Sequence, residues 1–179
     1  MVQWPVPDMS AALGSTGLRV SRIGLGLAAL GRPAYITLGR DRGLGSDRSV
    51  DAMERRAHDV MDAGFAGGVR YFDAARSYGY AERFLASWLT GGPARPDVTV
   101  GSKWGYRYTA DWRLDAEVNE VKDQSLDALR TQYAESRRIL GERLALYQIH
   151  SATLETGVLE DRGFSASWPA SGPRAWPSA

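Results

Sequence analysis

Val69-Arg70-Tyr71-Phe72, then Ala81, Phe84, Leu85, Trp88 and Leu89, then Gly91-Gly92-Pro93, then Val98-Thr99-Val100: the order of these pieces decides the fold. The first run is short and rich in β-formers, and the five apolar residues after it share one face at helical spacing. Two glycines and a proline stop that helix, and Val98–Val100 starts a new strand. The same alternation continues on both sides. Leu126, Leu129, Tyr133, Ser136 and Leu140 mark a helix ending at Gly141, and Leu144-Ala145-Leu146-Tyr147-Gln148-Ile149 reads as a fourth strand. Upstream, Val50, Met53, Ala57, Val60, Met61 and Gly64 form an amphipathic stripe stopped by Gly64, Gly67 and Gly68. Strands alternating with helices at this spacing predict an α/β chain with a parallel sheet and right-handed crossovers.

Before the first helix, Ser15-Thr16-Gly17 signals a turn, so residues 13–26 read as a hairpin leading into a first strand around Ile23–Leu25. The Gly/Arg-rich stretch from Gly31 to Ser46 is predicted to be a long loop. Beyond Arg162 the composition changes abruptly. Residues 163–179 hold no Leu, Ile or Val, and Pro169, Pro173 and Pro177 exclude a helix. This tail is expected to be irregular and to supply no fifth strand. Out-of-frame translation of a G+C-rich gene and a low-complexity linker both fit it.

With 179 residues, 44% hydrophobic and 24% charged, the chain is of globular composition. Its 22 basic and 21 acidic residues leave a net charge of +1, so neither nucleic acid nor an anionic membrane is an expected partner. The absence of cysteine rules out disulfides and thiolate metal sites, and two histidines are too few for a His-rich cluster. No metal is expected. The N-terminus reads as neither a signal peptide nor a membrane span, and the expected compartment is the cytoplasm.

Four polar residues fall at or just beyond strand ends: Asp73, Tyr78 in the loop after it, Lys103 and His150. Reducing a carbonyl by hydride transfer leaves a developing alkoxide, which needs a proton donor and a stabilising environment. Tyrosine can be that acid, although its ordinary pKa near 10 makes it slow at neutral pH. A lysine cation beside the phenol favours phenolate, and an aspartate keeps the lysine charged and aimed. Histidine can donate to the carbonyl oxygen.

At these residues the chain resembles the aldo-keto reductase superfamily. Tyr71-Phe72-Asp73-Ala74-Ala75-Arg76-Ser77-Tyr78-Gly79-Tyr80-Ala81-Glu82 is similar to the family's Asp-to-Tyr motif, Gly101-Ser102-Lys103-Trp104 to its lysine segment, and Leu146-Tyr147-Gln148-Ile149-His150 to its histidine strand. Leu13–Ser21 resembles the hairpin that plugs the family's barrel, and Gly24-Leu25-Gly26 the end of its first strand. The resemblance, from about residue 13 to 162, implies a (β/α)8 TIM-barrel type fold truncated after about four βα units, since a closed barrel takes about 250 residues. Residues 1–162 would be the N-terminal half-barrel and 163–179 the tail. It implies Tyr78 as general acid, Lys103 and Asp73 as its tuning pair, His150 as carbonyl-orienting donor, and cofactor contacts at Gly26, Leu27 and Asp73. The cofactor would be NADP(H) or NAD(H), and the substrate a small carbonyl compound or alcohol. Leu27 and Ala74 stand where the family commonly has threonine. The later strands that bring the nicotinamide-stacking aromatic and the phosphate-holding basic residues have no counterpart in these residues, so this chain is expected to be inactive and to self-associate through unpaired strand edges.

Alternatives remain at this stage. The fragment could be a non-catalytic half-barrel or partner-binding module. Gly24-Leu25-Gly26-Leu27-Ala28-Ala29 matches a dinucleotide fingerprint by letter, which a helix starting near Leu27 would support. His58 reads as surface, and Glu82 either bonds to the Tyr78 loop or, the preferred reading, is a first-turn residue favoured by the helix dipole. Trp104, Tyr106, Tyr108 and Trp112 could wall a pocket or pack on the rim.

Overall fold

The computed structural model describes residues 10–34, 45–161, 163–164 and 174–176. Residues 35–44 of the expected loop, and most of the tail, lie outside the described residues. The chain opens with an antiparallel pair, β1 (Ser10–Ala12) and β2 (Arg19–Ser21). Between them the Thr16 hydroxyl donates to the Leu13 carbonyl at 2.6 Å and accepts from the Leu18 amide at 3.2 Å, which makes the turn the sequence signals.

A second sheet runs in the order β3 (Gly24–Gly26), β4 (Tyr71–Asp73), β5 (Thr99–Trp104), β8 (Leu144–Ile149) and β9 (Arg174–Trp176), with every neighbouring pair parallel. Between its strands lie α1 (Val50–Ala66), α2 (Ala81–Thr90) and α3 (Leu126–Leu140). Serines begin two of these helices: Ser49 Oγ accepts from the Ala52 amide, and Ser125 Oγ from the Ala128 amide. Gly64 does not stop α1, which runs to a C-cap at Gly67. Its stripe buries Met53, Ala57 and Met61, but Val60 is 40% exposed, one position off the apolar face. No helix among the described residues is long and apolar enough to cross a membrane.

Register separates the two faces of the sheet. Leu25, Phe72 and Val100 stand side by side, and Phe72 packs against Trp88 of α2 at 4.8 Å between ring centroids. This is the helix-covered side. Gly26, Asp73 and Gly101 align on the other side, where strand alternation also places Lys103. Lys103 lies within β5 rather than past its end, and Asp73 closes β4.

Two elements differ from expectation. A short antiparallel hairpin, β6 (Tyr106–Tyr108) and β7 (Glu120–Lys122), follows β5. The tail, expected to be irregular throughout, places Arg174–Trp176 beside Leu146–Gln148, so the outer edge of β8 is paired. Proline forbids a helix, but three residues between Pro173 and Pro177 need only their backbone groups to add an edge strand. Among the described residues, the outer strands of this sheet are β3 on one side and β9 on the other. After β3 the chain turns without starting a helix, the Leu30 and Gly31 amides both donating to the Leu27 carbonyl, and this excludes the dinucleotide fingerprint at Gly24–Ala29.

Glu82, in the first turn of α2, is 2% exposed. Its carboxylate accepts from Ser102 Oγ of β5 and Ser136 Oγ of α3, both at 2.6 Å, and from Arg76 at 2.5 Å. It is a junction rather than a solvated first-turn charge. Burial alone would pull the Arg76 pKa down, but Glu82 and then Glu135 more than offset it, so the guanidinium stays charged. His58 is partly exposed, as a surface residue would be, but its Nε2 also lies 3.1 Å from the Phe84 carbonyl and 2.9 Å from Ser87 Oγ, joining α1 to α2.

Glu82→Ala would take the buried counter-charge from Arg76, leaving it only the part-exposed Glu135, and would remove the carboxylate acceptor of the buried Ser102 and Ser136. The expected loss is about 3–5 kcal/mol, read as a lower urea midpoint at unchanged slope. A loss under about 1 kcal/mol, the range of a surface pair, would contradict this role.

Candidate active site

Three strand ends and one loop bring the four sequence-derived residues together. Lys103 Nζ pairs with Asp73 Oδ2 and donates to the Ala74 carbonyl at 2.8 Å. It stands 4.8 Å from the centroid of the Tyr78 ring, and the Tyr78 hydroxyl lies 3.4 Å from His150 Nε2. The Tyr78 and His150 rings meet edge to face at 5.4 Å. Residues separated by as many as 77 positions thus share one site, because the parallel strands end at the same level.

The loop that carries Tyr78 is fastened by its backbone. The Ala74 amide donates to the Gly101 carbonyl at 2.9 Å and the Arg76 amide to the Lys103 carbonyl at 3.0 Å, extending the ladder past β4. On the other side the Tyr80 amide donates to the Gly31 carbonyl at 2.7 Å. Here the two chains touch at glycines. A Cβ on Gly31 would collide with the Tyr78 carbonyl oxygen, and Gly79 has φ +61°, where side chains are strained.

Burial shapes the electrostatics. It lowers the Lys103 pKa below its ordinary range, and the adjacent Asp73 works against that shift. The His150 pKa falls below 6.5, chiefly through burial and then through the Lys103 charge, while Glu120 and Asp73 oppose and Arg32 adds to the fall. His150 is therefore neutral at pH 7, with one ring nitrogen able to donate and the other to accept.

Several neighbours carry no sequence signal of their own. The Tyr71 hydroxyl lies 3.3 Å from Asp73 Oδ1 and 3.4 Å from Gln148 Oε1, and burial raises its pKa further above the phenol range, so it remains a neutral donor there. Ser77 Oγ is 3.4 Å from His150 Nδ1, and the Tyr106 ring sits 4.9 Å from the imidazole. Strand alternation could have pointed to Tyr71, two residues before Asp73 and so on the same face.

Of the candidate cofactor contacts, Gly26 is exposed at the end of β3, with open space where a side chain would be. The Leu27 side chain is fully buried in the core and its amide donates to the Asp73 carbonyl at 2.8 Å, so this residue offers a cofactor no side chain. Trp104 is also fully buried, stacked on Phe164, and belongs to the packing rather than to a pocket wall. Trp112 stacks on Tyr80 at 4.8 Å. Among the described residues no group of three or more His, Asp or Glu is placed to hold a metal ion.

The Aldo/keto reductase family model matches residues 22–161, and the chain belongs to that family. It is 30% identical over 150 residues to pyridoxal 4-dehydrogenase of Microbacterium luteolum, covering 73% of this chain and 39% of that protein. An uncharacterized oxidoreductase of Bacillus subtilis is 28% identical over 145 residues, covering 77% and 38%. Among solved structures, a candidate aldo-keto reductase from Pseudomonas aeruginosa superposes with TM-score 0.65 at 27% identity, covering 89% of this chain and 54% of that one. The holo form of a Bacillus halodurans aldo-keto reductase gives 0.58 at 26% identity, covering 84% and 43%. The chain thus spans about two-fifths of the curated relatives it matches, and its parallel sheet is part of a TIM-barrel.

The depressed His150 pKa has a consequence for stability. The unfolded chain takes up a proton at this residue near 6.5 while the folded chain still excludes it, so stability against unfolding is lost as pH drops below 6.5 toward the folded value. His150→Gln, which cannot titrate, should flatten that part of the curve. Urea midpoints of the two proteins between pH 7.5 and 5 should diverge at the acid end; parallel curves would place His150 in contact with solvent.

Proposed function

We propose that Asp73, Tyr78, Lys103 and His150 form the proton-handling side of a carbonyl reductase, acting on a small aldehyde or ketone, or in reverse on a sugar-type alcohol. The observation that carries this reading is the contact of the Tyr78 hydroxyl with His150 Nε2 beneath the Lys103 charge. A nicotinamide cofactor, NADP(H) or alternatively NAD(H), supplies the hydride when bound, as family membership implies. Gly26, beside Asp73, has open space where a side chain would be, and with Asp73 it would be among the residues that hold such a group.

The residues of this chain do the rest. His150 donates to the carbonyl oxygen and fixes its position next to the Tyr78 hydroxyl. As negative charge grows on that oxygen, Tyr78 gives it a proton. The Lys103 cation steadies the phenolate left behind, and Asp73 holds the ammonium in its charged form against the cost of burial. The Microbacterium relative is named for an aldehyde, pyridoxal, which is consistent with this substrate class.

In the family the groups that hold the adenosine phosphate come from the second half of the barrel, so the 179 residues alone should bind NADPH weakly and turn over slowly. A half-barrel whose role is association rather than catalysis is the second reading, favoured by the outer edge of β3. Cofactor fluorescence and absorbance at the nicotinamide band, with a panel of aldehydes, separate the two. Any NADPH-dependent turnover should drop about 100-fold or more in Tyr78→Phe, which removes only the acidic hydroxyl. Turnover that survives the change would remove Tyr78 from its role, and a chain that never reduces an aldehyde yet elutes as a defined oligomer in light scattering would favour the second reading.

A further inference from the structure

Arg32 lies in the turn after β3, 3% exposed, and the reaction described above makes no use of it. Its Nε donates to the Ala28 carbonyl at 3.3 Å, and one terminal nitrogen reaches both the Ser77 carbonyl at 3.3 Å and Glu120 Oε2 at 3.0 Å. The guanidinium carbon stands 5.5 Å from the centroid of the Tyr78 ring. Among the described residues its partners thus include its own turn, the loop bearing Tyr78, and strand β7 of the hairpin. A guanidinium removed from water needs an ionic partner, and Glu120 supplies it.

The hairpin is tied across the strand ends on both flanks. Gln124 Nε2 donates to the His150 carbonyl at 2.7 Å and Lys122 Nζ to the Ser151 carbonyl at 3.1 Å, while on the far side Trp112 Nε1 donates to the Arg48 carbonyl at 2.8 Å. At its tip Asp111 and Trp112 take φ of 47° and 63°, backbone strain that persists only where surrounding contacts hold it. Arg32 sits between this covering hairpin and the phenol. A planar guanidinium spreads its donors over several atoms and so reaches acceptors set further apart than a single lysine ammonium can.

We propose that Arg32 is a positioning residue for Tyr78, and that the Arg32–Glu120 pair latches the β6–β7 hairpin over the tetrad so that the seat of the hairpin and the placement of the phenol are set together. This deepens the reductase reading and rests on it for the role of Tyr78. The latch itself is a property of the folded chain and needs no cofactor to be measured.

Amide hydrogen exchange, followed by mass spectrometry on the 179-residue chain, reads it directly. Arg32→Gln and Glu120→Gln should each speed exchange about tenfold or more in peptides covering residues 77–80 and in those covering 106–122. The double variant should be no faster than the faster single, and Arg32→Lys should restore the protection only in part. Faster exchange in the hairpin with residues 77–80 unchanged, or additive effects in the double variant, would overturn the proposal. If Arg32→Gln does not fold, Glu120→Gln, which keeps the guanidinium, decides it through the Tyr78 and His150 ring resonances. His150 faces Ser77 and Tyr78 in the loop after β4, Asp73 on β4, Lys103 on β5, Tyr106 on β6, Glu120 on β7 and Arg32 after β3. Loss of the Glu120 charge should lower the His150 midpoint and shift the Tyr78 ring signals; unmoved Tyr78 signals would overturn the latch. Lack of reductase turnover would sink the catalytic reading and leave these measurements standing.

Discussion

One carboxylate holds the arrangement together. Glu82 is removed from water at the point where α2, β5 and α3 meet, and each of its hydrogen bonds reaches a different element: Ser102 in β5, Ser136 in α3, and Arg76 in the loop that leads to Tyr78. A buried charge is tolerable only when its lone pairs are filled and its counter-ion is near. That requirement dictates geometry. Arg76 must turn back toward α2, which directs the following residues, Ser77 to Tyr80, over the ends of β4 and β5. The same guanidinium reaches Glu135 of α3 at 2.7 Å, so the loop is anchored to the helical layer on one side while its backbone extends the sheet on the other.

The alternation of strands and helices was legible because it is a property of apolar spacing, and Leu144–Ile149 agrees with the observed β8 residue for residue. That Asp73, Tyr78, Lys103 and His150 would lie together was legible because they are unusual company for strand ends. What escaped was whatever depends on a partner far along the chain. Glu82 has the sequence appearance of a dipole-stabilising first-turn residue, and nothing nearby announces Ser102 or Ser136. His58, between polar neighbours, gives no sign of Ser87. The β6–β7 hairpin joins Tyr106-Arg107-Tyr108 to Glu120-Val121-Lys122, two runs too short and too charged to read as strands and too far apart for a tight turn. Strand β9 was excluded on the strength of its prolines, yet an edge strand asks little of its side chains.

The site shows why burial and charge must be balanced rather than maximised. In the proposed reaction Lys103 must be close to Tyr78 to favour phenolate, but that closeness comes with burial that pulls its own pKa down. Without Asp73 the two demands would conflict, since a neutral amine gives the phenol no field. Asp73 in turn is an exposed-type group held beside the sheet by strand register and contacted by the Tyr71 hydroxyl. Tyr71 stays protonated because the same burial and the Asp73 charge raise its pKa. The aspartate therefore separates two phenols, one kept neutral as a donor and one placed under a cation.

His150 completes the balance from the other side. A charged imidazole next to Lys103 would put two cations within one small volume and leave both ring nitrogens as donors, with none to accept from the phenol. Burial and the lysine charge together keep the ring neutral, so its Nε2 can meet the Tyr78 hydroxyl by hydrogen bonding instead of by ion pairing. Arg32 adds positive potential to the same region, but its charge is answered by Glu120 on the hairpin. The cationic groups near the phenol each carry an acidic partner from a different element: Asp73 on β4 for Lys103, and Glu120 on β7 for Arg32. Because the two carboxylates arrive on separate pieces of chain, the field at Tyr78 depends on the sheet register for one and on the seating of the hairpin for the other. A register is fixed once the core packs, whereas a short hairpin held by a few polar contacts can shift at lower cost. The hairpin is thus the part of the fold through which the environment of the phenol can be altered without unmaking the barrel strands.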